Sequence, residues 1–152
     1  MAAPNITPIY SKAGQINWGA ADGDGGTAGP LKTANTAKDG TGTTLTIFTA
    51  DATNGGRIER LVIRAAGTNV ATVLRVWVNN GSSSATIANN MPLCEITCAA
   101  TTLSEVAALA DPFTTISPNV FPLVLPAGYK LICAIGTTVS AGLRVGTIGG
   151  VY

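Results

Sequence analysis

The sequence predicts an all-β protein: a single antiparallel β-sandwich, jelly-roll-like or of a related Greek key type, with an extended N-terminal arm. Three observations support this prediction. From residue 43 onward, short apolar runs alternate with polar residues at the period of a β-strand. Gly, Pro and Asn separate these runs at short spacing, and no long segment has the period of a helix. The 152 residues suit one domain, which we divide into an arm at 1–42 and a sandwich at 43–152.

The arm differs from the rest of the chain in composition. It contains the glycine-rich stretch GAADGDGGTAGP and few apolar residues. Such a segment cannot bury enough surface to order itself alone, so we expect it to lie on its own domain or on a neighbouring subunit. We predict that residues 12–36 become ordered only in an assembly. Trp18, with Ile16 and Tyr10, is the predicted aromatic and apolar anchor for a partner.

Eight segments of the sandwich have strand patterns. In chain order they read TTLTIFT, RIERLVIRAA, VATVLRVWVNNG, MPLCEITCAA, FTTIS, FPLVL, YKLICAIG and GLRVGTI. Gly67-Thr-Asn predicts a hairpin between the second and third. In the third, alternate residues from Val70 to Val78 are predicted to face the core. The segment TTLSEVAALADP at 101–112 is compatible with one or two helical turns, with a strand or with an irregular crossing.

The stretch LVLPAGYKLICAIG at 123–136 is apolar enough to raise the question of a membrane anchor. A spanning helix needs about 20 unbroken apolar residues, and this run contains Pro126 and Gly128 near its centre. Pro-Ala-Gly is turn chemistry, with period-two runs on both sides. We therefore predict a strand, a tight corner and a second strand, and no membrane association.

Charge content bounds the function. Only 11% of residues are charged, where soluble domains average about 25%. A surface of small neutral groups suits protein–protein contact, although a secreted Thr- and Asn-rich β-domain would share this composition. The net charge is +1 and the nine Lys and Arg are scattered, which argues against a nucleic-acid partner.

The cysteines indicate the compartment. The chain has an odd number of cysteines: Cys94, Cys98 and Cys133. The opening MAAPNITPIY lacks the pattern of a secretory signal. On one strand face, Cys94 and Cys98 would lie about 13 Å apart, too far for a disulfide. We predict three reduced, mostly buried thiols in a protein made in cytoplasm.

The sequence contains few residues of the types that usually carry out catalysis. The chain has no histidine, which removes the commonest general base and the usual triads. Glu59 and Glu95 could form a glycosidase pair, but we favour ion pairs with nearby arginines. Asp22-Gly-Asp-Gly-Gly has the opening of a calcium loop without its later ligands, so we interpret it as a turn. We predict no catalytic residue, no metal, no cofactor and no small-molecule substrate.

Trp77 is the second rare aromatic. It lies on the opposite strand face from Val76 and Val78. Burial on both sides of a sheet, or at a subunit contact, is favoured over a sugar-stacking platform. Trp77 therefore joins Ile16, Trp18 and Tyr10 as a predicted partner-binding residue.

Two segments carry a resemblance to a known group of proteins. NGGRIERLVIRAAGTNVATVLRVWVNNGS and LVLPAGYKLICAIGTTVSAGLRVGTIGGVY, within residues 55–152, resemble small β-sandwich structural proteins of tailed bacteriophages. They are most similar to capsid decoration (cement) proteins.

The resemblance implies a non-enzymatic virion protein on the outside of the phage head, assembled in the host bacterial cytoplasm. Its partners would be the major capsid protein, whose neighbouring subunits it clamps, and copies of itself in a homotrimer or a dimer. The alternative is a phage tail or fibre module that binds a host surface carbohydrate. An enzyme such as a glycan hydrolase is disfavoured by the missing histidines and scarce acids.

Overall fold

The computed structural model describes residues 12–17, 30–109 and 120–152, with 12–17 as backbone only. Eight strands lie within these ranges, together with one short 3-10 helix at Ile87–Asn89. The strands are β1 (Lys12–Asn17), β2 (Leu45–Thr49), β3 (Gly56–Ala65), β4 (Thr72–Asn79), β5 (Asn90–Cys98), β6 (Leu123–Leu125), β7 (Lys130–Ile135) and β8 (Leu143–Val151). The prediction of an all-β protein is confirmed.

The strands form two sheets of four. The first sheet has the order β1-β8-β3-β6 and the second has the order β2-β7-β4-β5. Every strand pair in both sheets is antiparallel. Only β4 and β5 are neighbours both in sequence and in a sheet, because most connections carry the chain from one sheet to the other.

One hydrophobic cluster joins the inner faces of the two sheets. Because side chains alternate between the two faces of a strand, every second residue of each strand points to this side. The first sheet contributes Ile58, Leu61, Ile63, Leu125, Leu143 and Val145. The second sheet contributes Leu45, Ile47, Phe48, Leu74, Val76, Val78, Ile96, Cys98, Leu131, Cys133 and Ile135. Each fully buried side chain of this kind stabilises the fold by about 1.5–3 kcal/mol relative to exposure.

The corner predicted within 123–136 is confirmed. β6 ends at Leu125, β7 begins at Lys130, and the turn between them takes the chain from the first sheet to the second. Gly128 has a φ of 73°, and the Tyr129 N–H donates to the Pro126 carbonyl over 3.2 Å. The predicted strand FTTIS lies outside the described residues. Residues 102–109 form neither a helix nor a strand.

Two local predictions about residues 67–70 are wrong. Gly67-Thr-Asn does not form a hairpin, because β3 belongs to the first sheet and β4 to the second. The buried Asn69 side chain instead accepts hydrogen bonds from the Ala141 and Gly142 N–H groups and donates to the Gly142 carbonyl. Val70 does not face the core: it is 57% exposed, because β4 begins two residues later.

The described parts of the N-terminal 42 residues lie on the sheets of the same chain. β1 pairs with β8, with Gln15 opposite Gly149 and Ile16 opposite Ile148. Leu31 exchanges two backbone hydrogen bonds with Leu143, at 2.8 and 2.9 Å. The sequence patterns did not predict β1. The boundary at residue 42 and the ordering of 12–36 by assembly stay predictions.

Candidate interaction surfaces

The four residues predicted to bind a partner do not form one site within the described ranges. Tyr10 and Trp18 lie outside the described residues. Ile16 belongs to β1 in the first sheet, opposite Ile148 of β8. Trp77 belongs to β4 in the second sheet and is 1% exposed, so this chain already buries it.

Trp77 lies in a small apolar cluster on the outer face of the second sheet. Its neighbours there are Ile132 and Ala134 of β7, and all three side chains are buried. The inner face of the same strand, with Val76 and Val78, packs in the main core. Burial of the second sheet on both sides therefore requires a cover over its outer face.

Residues 35–44, which we name the covering loop, provide this cover. The loop begins beside β7, where the Asn35 N–H donates to the Ile135 carbonyl over 2.7 Å. It ends beside the same strand, where Leu45, the first residue of β2, pairs with Cys133. Between these points Gly40 reaches β5, since a Cβ on Gly40 would lie 2.8 Å from the Asn90 Cβ. Because β4 lies between β7 and β5, the loop crosses the strand that carries Trp77.

Side chains within the covering loop fix its shape. The Asn35 Nδ2 donates to the carbonyls of Thr41 and Thr43, at 2.8 Å each. The Asp39 carboxylate accepts from the Thr41 hydroxyl at 2.6 Å and from its N–H at 2.9 Å. These bonds lower the pKa of the Asp39 carboxyl, because they favour its charged form.

An asparagine-rich groove of about 490 Å³ lies at one end of the molecule. Its walls are Val78, Asn80, Ala88, Asn89, Asn90, Met91, Pro92 and Tyr129. The amides are committed to the loop itself: Asn80 donates to Asn89, Asn89 to the Ser83 carbonyl and Asn90 to the Ser84 carbonyl. The groups that remain for a partner are mainly apolar, and Met91 is 57% exposed.

The carboxylates of the two strand glutamates are paired with arginines, as favoured from the sequence. Glu59 contacts the Arg57 Nε at 2.9 Å in the first sheet, and Glu95 contacts the Arg75 Nε at 2.7 Å in the second. Because they belong to different sheets, these two acids do not form a glycosidase pair. Within 30–109 and 120–152, no group of three His, Cys, Asp or Glu side chains could hold a metal ion. Asp22 and Asp24, which belong to the stretch that resembles the opening of a calcium loop, lie outside the described residues.

All three thiols are free, as predicted. Cys98 and Cys133 are buried and Cys94 is partly buried. Burial raises the pKa of the Cys98 thiol to about 11, and burial also raises the pKa of the Cys133 and Cys94 thiols. Because the thiolate is the reactive form, these positions suit packing rather than nucleophilic chemistry.

The outer face of the first sheet carries a set of residues that the sequence patterns did not bring together. Arg144 of β8 lies directly opposite Arg64 of β3, and Arg60 and Arg57 project from the same side of β3. We name Arg57, Arg60, Arg64 and Arg144 the arginine face. Alternation along β3 places Arg60 and Arg64 on one side, the register shift between Ile58 and Arg60 brings Arg57 to the same side, and the position of Arg144 depends on a pairing across 80 residues of chain.

No protein-family model, curated protein or solved structure gave a match to this chain. In the part of the chain that the structure describes, no helix has the length and apolar character needed to cross a membrane.

Proposed function

We propose that this chain is a capsid decoration (cement) protein: a non-enzymatic virion protein that binds the outside of a phage head and clamps neighbouring major capsid subunits. The observation that carries the proposal is the strand order. The pairs β1-β8, β2-β7, β3-β6 and β4-β5 are those of one long antiparallel ribbon folded back on itself. Further pairing of β8 with β3 and of β7 with β4 winds this ribbon into two sheets. This pairing is the one expected of a jelly roll, an architecture that viral capsid domains use, and it therefore supports the proposal.

Surface chemistry supports a role in assembly. With 11% charged residues, the chain has few groups whose burial at an interface would require desolvation of a charge. Exposed apolar side chains lie at both ends of the molecule, among them Ile87 and Met91 near the asparagine-rich groove and Leu103 on the opposite loops. Copies of the chain associated as a homotrimer or a dimer would present several such contacts at once.

The protein would act by binding to the capsid shell and would catalyse no reaction. The described acids on the strands are held by arginines and the thiols are kept protonated by burial. A protein that binds the assembled shell, and not its unfolded subunits, stabilises the shell by mass action. Many identical contacts per particle add to this effect, because each tethered copy raises the effective concentration of its neighbours.

A carbohydrate-binding tail or fibre module is the second candidate. Jelly rolls also occur in lectins, and Tyr129 lines the asparagine-rich groove. This candidate is weaker because the groove's amides are bonded to the loop that carries them, whereas a sugar site needs polar groups that converge on a ligand.

The copy number of this chain in purified phage particles distinguishes the two candidates. Quantitative mass spectrometry against the major capsid protein measures it directly. A decoration protein is present in hundreds of copies, in a fixed ratio to capsid subunits. A handful of copies would indicate a tail component, and absence from the particle would contradict both.

A further inference from the structure

We propose that β1 is an exchangeable strand, and that the edge of β8 on which it lies is a docking site for β1 of a second copy of this chain. When copies associate, each inserts its Lys12–Asn17 segment into the first sheet of another. The inference rests on the self-association that is part of the proposed function, but it does not require a phage capsid.

The docking edge of β8 is held in place by contacts other than those with β1. On its other side β8 pairs with β3 at nine positions, from Val151 to Leu143. The Thr147 hydroxyl donates to the Ile47 carbonyl of the second sheet over 3.3 Å, which ties the middle of β8 to the opposite layer. The edge that receives β1 therefore presents the same backbone groups to β1 of either copy.

The contacts that hold β1 to β8 are less extensive than those that hold β3. In the described sheet β1 is the outermost strand, and it pairs at four positions with a register shift between Lys12 and Gln15. Short outer elements open locally at a lower free-energy cost than central strands do. A second copy offers an identical β8, so exchange restores the same backbone hydrogen bonds that it breaks.

After β1, the chain returns to the same edge of β8. Asn17 lies opposite Thr147, and Leu31 exchanges two backbone hydrogen bonds with Leu143. Leu143 pairs with Ala65 of β3 on its other side, so Leu31 and β1 lie along one edge of the strand. The positions at which the connection starts and ends are therefore both fixed on β8.

The connection from β1 to Leu31 is longer than the path between these two positions. Thr147 and Leu143 are four residues apart, or about 13 Å along β8, so a continuous strand would bring residue 21 opposite Leu143. Leu31 lies there instead, ten residues later. The fourteen residue steps from Asn17 to Leu31 can span about 45 Å when extended, which is enough to reach beyond the edge of the chain's own sheet.

The extra length changes the competition for β1. A connection longer than the span it bridges lowers the effective concentration of the attached strand at its own site. The sequence at 19–29, GAADGDGGTAG, contains five glycines, and glycine accepts backbone conformations that other residues avoid, so it suits either route. A second copy that is held close by can therefore compete for β1 with the β8 of its own chain.

Disulfide trapping between two differently substituted copies tests the exchange. Ile16 and Ile148 are paired across β1 and β8, and residues paired in this way have Cα atoms about 4.5–5.5 Å apart, within the range of a disulfide. Full-length Ile16→Cys and Ile148→Cys proteins are mixed, incubated at increasing total concentration and then oxidised. A bridge between them at these positions requires β1 of one copy to lie on β8 of the other.

Matched variants control for chance contact and for misfolding. Arg144→Cys replaces Ile148→Cys in a parallel mixture, because it lies on the same strand but about 13 Å from the position opposite Ile16. Lys12→Cys with Val151→Cys repeats the measurement at the other end of β1. The Ile16→Cys/Ile148→Cys double variant, oxidised at high dilution, reports the pairing within one chain.

We expect the bridged dimer to increase with protein concentration and to exceed the Arg144→Cys control by about tenfold or more, because strand pairing holds the two thiols at a high effective concentration. Peptide mass spectrometry should locate the bridge between positions 16 and 148. The double variant at high dilution should instead be bridged within one chain and remain a monomer.

Three results would overturn the assignment. A bridge within the double variant, with no bridge between copies at any concentration, shows that β1 stays on its own β8. Equal bridging of Ile16→Cys to Arg144→Cys and to Ile148→Cys shows contact between copies without exchange. No bridge in any arrangement with either cysteine pair contradicts the β1–β8 register itself.

The proposed function is tested separately from the exchange. If the protein exchanges β1 but does not bind capsids, the capsid proposal fails and the exchange stands. If the protein binds capsids and the mixed variants bound there form no bridge between copies, the exchange fails and the capsid proposal stands.

Discussion

Gly40→Ala should loosen the covering loop and expose Trp77. A Cβ on Gly40 would lie 2.8 Å from the Asn90 Cβ and 3.0 Å from its Cγ, closer than real contacts allow. Asn90 cannot move freely, because its side chain accepts from Asn79 and donates to the Ser84 carbonyl, at 2.8 Å each. Either those bonds break or the loop lifts from the sheet.

Two contributions make up the expected loss of folding stability in Gly40→Ala. Gly40 has a φ of 81°, a conformation that costs a residue with a Cβ about 1–2 kcal/mol. Displacement of the buried Asn90 amide from its partners adds about 1–3 kcal/mol. Gly128→Ala is the matched control: its φ is 73°, but a Cβ there meets nothing within 4 Å. The free energy of unfolding should therefore fall by about 1–3 kcal/mol more for Gly40→Ala than for Gly128→Ala.

Two measurements check this prediction. Denaturant unfolding gives the difference between the two variants. Acrylamide quenching of Trp77 fluorescence, in a Trp18→Phe background that removes the only other tryptophan, reports exposure of the cluster under the loop. Quenching should rise for Gly40→Ala and stay unchanged for Gly128→Ala. Equal losses of stability with unchanged quenching in both would show that the loop is not held against Asn90 as described.

Three further predictions test other parts of the fold. Trp77→Ala should lower the free energy of unfolding by about 3–5 kcal/mol, whereas Val124→Ala, at an exposed position, should change it by less than about 0.5 kcal/mol; a stable Trp77→Ala protein would contradict burial within the chain. Asn69→Ala should cost about 2–3 kcal/mol in the same assay, because it removes the three hydrogen bonds that the buried Asn69 side chain makes to residues 141 and 142, and a cost near zero would refute that role. Native alkylation of Cys98 should be slow at neutral pH and speed up toward pH 11, and rapid labelling at neutral pH would contradict burial of this thiol. The free energy of unfolding should also fall as the pH rises above 9.0, because the thiol ionises first in the unfolded chain while the folded thiol, with a pKa of about 11, stays protonated.

Features set by local chemistry were predictable from the sequence. The corner between β6 and β7 follows from Pro126 and Gly128, which restrict the backbone wherever the turn leads. The two-sided environment of Trp77 follows from alternation along β4, since Val76 and Val78 occupy the other face. The absence of a disulfide between Cys94 and Cys98 follows from their spacing on one strand, β5.

Features set by pairing between distant segments were not predictable. Gly67 has the same turn chemistry whether the chain stays in one sheet or crosses to the other, so the predicted hairpin was wrong. β1 has only a weak pattern of its own and is a strand through its partner β8, more than 100 residues away. The arginine face depends on the register that places Arg144 opposite Arg64, and no local pattern in either strand specifies it.

As a decoration protein, this chain would bind an assembled phage capsid in many copies and stabilise it. The most direct test is to titrate the purified full-length protein onto capsids that lack it, measuring bound copies per particle and the temperature at which the particles open. We expect saturable binding at hundreds of copies and an opening temperature that rises with occupancy. Binding of only a few copies, or saturation without any gain in heat resistance, would contradict it.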